Sequence, residues 1–217
     1  MLNREGWNVN AKRVYRLWRL SGLSHRPRPR KRRRLGSSES SCIRLKPNYP
    51  NHVWSYDFVF DATEDGQRLK WMPVLDEHTR ECLALEVERS ITSSDVIGVL
   101  DRLIAERGAP AFIRSDNGPE FIADAVRTHL ADLDVDTRFI APGAPWENGY
   151  VESFNGTLRT DLLNREVFGH CLEARVLGEQ YRQEYNTERP HSALDYQTPA
   201  EFAASHVASS ALTTAPT

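Results

Sequence analysis

Between residues 93 and 108 apolar side chains recur at helical spacing. In SSDVIGVLDRLIAERG, Val96, Ile97, Val99, Leu100, Leu103 and Ile104 share one face. A serine stands at the start and Gly108 at the end, so a helix is predicted there. Upstream the pattern changes. HVWSYDFVF (52–60), LKWMPVLD (69–76) and CLALEVE (82–88) are rich in aromatic and β-branched residues and read as three strands. Their short links, DATEDG among them, suggest an antiparallel meander. Downstream, AFIRSD (111–116) predicts a short strand, about 119–131 a helix, and DVDTRFI (134–140) another strand. The loop APGAP (141–145) leads into a helix over about 146–163, and 172–187 forms one more. The order βββ-α-β-α-β-α-α implies an α/β domain, a mixed sheet with helices on its faces, from about 48 to 187.

The front of the chain is built differently. NVNAKRVYRLWRLSGL (8–23) predicts one helix with Val14, Leu17 and Trp18 in a stripe and Lys12, Arg13, Arg16 and Arg19 mostly on the other side. A helix this short cannot bury its stripe alone, so it is either the tail of a helix-turn-helix unit or in need of a partner. HRPRPRKRRRLGSSESS (25–41) cannot bury a core and reads as a linker with affinity for phosphates, carried by Arg30, Lys31, Arg32, Arg33 and Arg34. The end of the chain, from Ser205, is rich in Ala, Ser and Thr and is expected to be disordered. Four segments follow: 1–24 helical, 25–47 linker, 48–204 core, 205–217 tail.

Charge sharpens the division. The formal net charge is only −2, yet residues 1–46 hold 14 of the 28 lysines and arginines with just two acids, Glu5 and Glu39. Such asymmetry marks a nucleic-acid-binding arm on an acidic domain; a solvated tail or a targeting patch is the plainer alternative. No apolar run is long enough to span a bilayer and no hydrophobic signal core opens the chain, which predicts a soluble cytoplasmic protein, associated with the nucleoid if it binds DNA. Cys42, Cys82 and Cys171 form no C-x-x-C pair, which excludes a disulfide framework and argues against structural zinc. The seven histidines are scattered and read as surface or core residues rather than metal ligands.

Three carboxylates stand out. Asp57 interrupts a strand bearing Trp54, Tyr56, Phe58 and Phe60, where an acid is costly unless something answers it. Asp116 ends a short strand just before Asn117-Gly118-Pro119, and Glu152 lies on the helix after the Pro- and Gly-containing loop. Each has a plain structural alternative: an ion pair for Asp57, a turn for Asp116, an exposed helix acid for Glu152. Asp61 and Asp76 rival Asp57, but Asp61 opens a polar turn and Asp76 ends the second strand. Glu120 reads as an acid at a helix N-terminus.

Context decides among them. Thirty-five residues separate Asp116 from Glu152, within W-S-Y-D-F, R-S-D-N-G-P-E-F and P-W-E-N-G-Y-V-E-S-F-N-G-T-L-R, followed by YNTERPHSALDYQTPAEF (185–202). Over roughly 150 residues these resemble the catalytic core of bacterial insertion-sequence transposases and retroviral integrases, the D,D-35-E family. The resemblance implies a ribonuclease-H-like fold and metal-dependent attack of water or a DNA 3′-hydroxyl on a phosphodiester. Asp57, Asp116 and Glu152 would be catalytic and would hold Mg²⁺ or Mn²⁺, whose hard-oxygen preference carboxylates meet. Arg159 shares a helix face with Glu152, Asn155 and Gly156 and is expected to contact DNA, or else to pair with Glu152 or Glu166. Asn148 and Gly149, with Pro142, Gly143 and Pro145, look like a loop that positions DNA ends. Tyr185, Asn186, Arg189, Pro190 and His191 are expected to be structural.

The front segment resembles the last portion of a helix-turn-helix element that family members carry ahead of the core. In many relatives a frameshift joins a small upstream product to a product like this one. Expected partners are therefore terminal-repeat and target DNA, an upstream helix-turn-helix product, and a second copy of the chain. A DNA-binding regulator without catalysis and a nuclease of the same fold remain alternative functions.

Overall fold

The computed structural model describes residues 6–23, 46–115, 124–139 and 148–213, with side chains described for all of these except 124, 138, 139 and 207–213. The chain divides into two compact units, Met1–Ile43 and Arg44–Thr217. In the first, helix α1 (Ala11–Leu20) begins at Asn10, whose side chain accepts from the Lys12 N–H at 2.8 Å. Its far end is tied by the Trp18 indole N–H, which donates to the Leu23 carbonyl at 2.7 Å. No residue of α1 is buried; Leu17 and Trp18 are about half exposed.

The second unit is built on one mixed sheet of β1 (Val53–Tyr56), β2 (Val59–Ala62), β3 (Arg68–Asp76), β4 (Cys82–Glu88), β5 (Phe112–Ser115) and β6 (Asp136–Phe139). β3 pairs antiparallel with β4 on one side and with β1 and β2 on the other, while β1, β5 and β6 run parallel. The single strand expected over 52–60 is thus two. Their pairing with β3 nevertheless keeps one register, Tyr56 opposite Val74 and Val59 opposite Trp71. The lapse falls at Asp57 and Phe58, and in that register Pro73, which has no N–H for a ladder, stands across from Asp57.

Alternation along the strands builds two cores. Trp54, Tyr56, Met72, Val74 and Ala84 face α2 (Ser93–Arg107) and α3 (Asp124–Asp132), meeting Val96, Leu100, Leu103, Val126 and Leu130. Val59, Leu69, Trp71, Leu75, Leu85 and Val87 face α4 (Gly149–Leu158) and α5 (Cys171–Thr187), meeting Val151, Phe154, Leu158, Ala174 and Tyr185. With both faces covered, β3 is buried at every position but its first. Asp57 shares the odd parity of Val59 and so belongs to the α4 face, opposite the aromatic residues that surround it in sequence.

Local signals place the helices. The cap of α2 is Thr92, one residue before the expected serine; it and Asp95 form a reciprocal capping box. Gly108 closes that helix at φ 85°, a left-handed value suited to glycine. α4 does not run on as one α-helix to 163 but widens into a π-turn over Arg159–Leu163. α6 (Pro199–Thr213) continues into the stretch expected to be disordered, as far as Thr213; alanine-rich sequence has the propensity for this.

Side chains finish what the ladders leave open. Between β3 and β4 the register shifts after Val74, so Leu75 faces Cys82 with Leu83 left over. There Asn186 of α5 accepts from the Cys82 N–H at 2.8 Å and donates to the Cys82 carbonyl at 2.9 Å. On β4, Arg182 donates to the Cys82 carbonyl and Arg175 to the Val87 carbonyl. Beyond α5, the His191 ring meets Tyr185 edge-on at 5.0 Å, and Tyr185 meets Phe154 likewise at 4.8 Å. Burial, and then the Arg189 and Arg80 charges, push the His191 imidazole down to about 4.

This packing sets two expectations for stability. A Cβ at Gly178 of α5 would stand 2.8 Å from Cζ3 of the fully buried Trp71. Gly178→Ala should lower the denaturant midpoint, because overpacking costs about 1–3 kcal/mol against roughly 1 kcal/mol of helix propensity gained. His191, neutral when folded, takes up a proton on unfolding between its ordinary 6.5 and about 4. Stability is therefore lost as pH falls through that window. Unfolding midpoints measured across it should vary less steeply in His191→Gln than in the native chain.

Candidate active site

Asp57 occupies the lapse between β1 and β2, and its carboxylate is held at both oxygens. Oδ1 accepts from the Phe58 N–H at 2.8 Å, taking up a backbone donor at the break in the ladder. Oδ2 accepts from the Asn155 side-chain amide at 2.8 Å. That second bond crosses from the sheet to α4, and the parity of the strand permits it. Asn155 comes within reach because Val151, Phe154 and Leu158 bury the neighbouring face of the helix. Its own Oδ1 is buried with no hydrogen-bond partner among the described residues.

Glu152 lies one turn before Asn155, on the same face of α4. Its side chain is exposed and has no ion-pair partner among the described residues. Asp116 lies outside the described residues, as do Glu120, Pro142, Gly143 and Pro145. The strand that leads to Asp116 is described. β5 pairs in parallel with β1, Ser55 opposite Arg114; in sequence, Asp57 follows Ser55 by two residues and Asp116 follows Arg114 by two.

The rival acids are otherwise engaged. Asp61 lies on β2, half-buried, and accepts from the Ala62 N–H at 2.9 Å. Asp76 is fully buried and takes the N–H groups of Asn51 at 2.7 Å and His78 at 2.8 Å, bracing the turn after β3. Burial holds its carboxyl above the usual carboxylate range.

The other expected contacts are spread more widely. Arg159, at the junction of α4 and the π-turn, is exposed and donates to the Phe60 carbonyl at 3.3 Å, pairing with neither Glu152 nor Glu166. Asn148 precedes α4, is buried, makes no side-chain cap, and leaves its Oδ1 without a partner among the described residues. Lys12, Arg13 and Arg16 are exposed on α1, in the other unit. Arg30, Lys31, Arg32, Arg33 and Arg34 lie outside the described residues.

Two charged residues behind the site carry no signal in their spacing. Arg114, two residues before Asp116, is buried on β5 and donates to Glu77 at 2.7 Å, also fully buried. Lys70 is buried on β3; its ammonium donates to the Ile91 carbonyl at 3.0 Å and lies 3.7 Å from the centre of the Phe58 ring. An arginine and a lysine inside otherwise apolar strands are the only hint the sequence offers of either.

Comparison with known proteins gives this geometry a context. Two models of the integrase core domain match the chain, one over residues 47–145 and the other over 133–199. An insertion element IS407 protein of Burkholderia multivorans is 41% identical over 206 residues, covering 95% of this chain and 73% of its own length. An IS476 protein of Xanthomonas euvesicatoria is 37% identical, and the chain spans 59% of it. A putative IS2E transposase of Escherichia coli is 31% identical, with 89% of this chain and 91% of that protein covered. Among solved structures, the magnesium complex of the HTLV-2 integrase catalytic core domain superimposes with a TM-score of 0.52 at 18% identity, over 71% of this chain and 97% of that one. A simian T-cell lymphotropic virus intasome chain gives 0.59 at 20% identity, over 73% and 56%. At such identities the likeness is one of fold, and it is the ribonuclease-H-like fold of integrase cores. The identities to the insertion-element proteins reach further, and by them the chain belongs to the family of insertion-element transposases with an integrase core.

Proposed function

We propose that this chain is a catalytic subunit of transposition that cuts a phosphodiester at the element's ends and joins the freed 3′-hydroxyl to target DNA. Asp57, Asp116 and Glu152 would be its catalytic acids. The observation that carries this reading is the 2.8 Å bond from Asn155 to Asp57, which fastens the strand bearing one acid to the helix face bearing another. The equal offsets of Asp57 and Asp116 from the paired residues Ser55 and Arg114 support the third member.

The donor set suits a divalent cation of the Mg²⁺ or Mn²⁺ class, since carboxylate oxygens are the hard ligands such ions prefer. The buried Asn155 Oδ1 beside Asp57, without a hydrogen-bond partner among the described residues, is an acceptor that a bound cation would complement. When bound, ions of this class activate an attacking oxygen and stabilise a leaving one. The chain's own residues supply position. Asn155 orients the Asp57 carboxylate, and Pro73 across the strand leaves the lapse in which that carboxylate stands. Arg159 spends one N–H on Phe60 and, with four more donors in its guanidinium, would hold a DNA phosphate. Asn148 and Asn155 would contact the DNA end.

The basic front segment would bind DNA along its backbone through Lys12, Arg13, Arg16, Arg30, Lys31, Arg32, Arg33 and Arg34. The exposed Leu17 and Trp18 of α1 suit cover by an upstream helix-turn-helix product. Concerted joining of two ends calls for at least two copies, and the related HTLV-2 core was solved as a dimer and as a trimer. No helix among the described residues is long and apolar enough to cross a membrane, and the place of action would be the cytoplasm, on the nucleoid.

The full chain, incubated with DNA carrying the element's ends and Mg²⁺ or Mn²⁺, should nick at the 3′ ends and join them to a target. Asp57→Asn, Asp116→Asn and Glu152→Gln should each slow cleavage by about a hundredfold or more, roughly 3 kcal/mol of transition-state stabilisation, with DNA binding retained. Binding without metal-dependent cleavage in the native chain would instead make it a regulator. Neutralising Lys12, Arg13 and Arg16 should flatten the dependence of log affinity on log salt by about one for each phosphate they neutralise in the native chain, equally for end and unrelated DNA.

A further inference from the structure

Seven histidines lie scattered along the chain, and nothing in their spacing pairs any two. Folding pairs His78, in the turn after β3, with His206 on α6. Their Nε2 atoms lie 3.2 Å apart, and the rings are nearly perpendicular at 89° with centroids 4.9 Å apart. The other nitrogen of each ring faces a backbone carbonyl. Nδ1 of His78 is 3.4 Å from the Pro47 oxygen, and Nδ1 of His206 is 3.0 Å from the Phe202 oxygen. A carbonyl only accepts, so the tautomer that meets it carries the proton on Nδ1. The Ser205 hydroxyl, 3.4 Å from Nδ1 of His206, gives its own proton to the same Phe202 carbonyl at 2.7 Å.

With both rings in that tautomer the Nε2 atoms present lone pairs to each other at hydrogen-bond distance, and two acceptors so placed repel unless a cation stands between. A ring with its proton on Nε2 instead donates it to the other. The spacing is that of two ligands on one ion: metal–nitrogen bonds of about 2.0–2.1 Å at a tetrahedral angle hold the nitrogens roughly 3.3 Å apart. Donation of the second ring N–H to a backbone carbonyl is also how proteins orient ligating histidines. Phe202 lies against both rings, at 5.7 Å from His78 and 4.5 Å from His206, and both histidines remain partly open to solvent.

We infer that His78 and His206 form a two-histidine site for a divalent transition metal ion such as Zn²⁺, Co²⁺ or Ni²⁺, distinct from the carboxylate site and clasping α6 to the turn after β3. Imidazole nitrogen suits these ions, while Mg²⁺ prefers oxygen. No third histidine, cysteine or acid gathers there among the described residues, so water completes the coordination. The assignment departs from the reading of the histidines as surface or core residues rather than metal ligands, and it does not depend on whether the chain catalyses strand transfer.

The test uses the full chain stripped of metal and labelled with ¹⁵N. Zn²⁺ should shift the Nε2 resonances of His78 and His206 at one equivalent, Mg²⁺ should leave them in place, and Zn²⁺ should raise the thermal midpoint. His206→Gln and His78→Gln, checked for native circular dichroism, should each weaken Co²⁺ or Zn²⁺ binding at this site by at least about tenfold, the loss that removing even an outer partner produces. His129→Gln, whose ring pairs with Asp101 instead, should leave it intact. Resonances unmoved by saturating Zn²⁺, or a proton shared between the two Nε2 atoms under that condition, would overturn the site. So would equal affinity in the native chain and both histidine variants.

Discussion

The hydrogen bond from Asn155 to Asp57 is the point on which the site turns, because it is where a break in the sheet is answered by a helix. A carboxylate inside a buried strand is expensive unless its oxygens are occupied. Here the strand stops pairing at Asp57 and Phe58, the carboxylate takes the Phe58 N–H, and its second oxygen is claimed from α4. The same helix face carries Glu152 one turn earlier. Displace α4 and the acid on the strand and the acid on the helix lose their common anchor together.

That arrangement rests on how the core is divided. Even-numbered residues of β1 face α2 and α3, and odd-numbered ones from Asp57 through β2 face α4 and α5. Within this frame three charged residues near the site are internal and paired: Arg114 with Glu77, Asp76 with the N–H groups of Asn51 and His78, Lys70 with the Ile91 carbonyl. Removing one partner of the buried Arg114–Glu77 ion pair costs about 3–5 kcal/mol. The Arg114–Glu77 pair ties β5 to the turn after β3, and Asp76 ties the end of β3 to the residues just before β1.

Much of this is legible in the chain itself, and for identifiable reasons. β3, β4 and α2 lie where expected because their apolar runs are long and their ends are marked by turn residues and caps. Asp57 stands out by its apolar surroundings, although the aromatic residues that make it conspicuous lie on the opposite face. What escapes is whatever depends on distant partners. Composition alone does not reveal that Pro73 lies across from Asp57, that Asn186 closes the bulge at Cys82, or that Arg159 reaches the Phe60 carbonyl. The pairing of His78 with His206 joins residues 128 apart and has no local signature at all. At the end of the chain an Ala- and Ser-rich composition suggests disorder, where α6 runs on to Thr213.

The arginines laid along β4 have a consequence of their own. An unpaired strand border invites foreign strands. Arg182 covers the carbonyl at the start of β4 and Arg175 the one near its end, each guanidinium further engaged by Glu179 or Glu88. A neighbouring copy arriving there meets fixed charge where it would need open backbone. Pairing along this border would have to displace those guanidinium groups from the Cys82 and Val87 carbonyls first, which is how charge can guard a sheet edge without a covering strand.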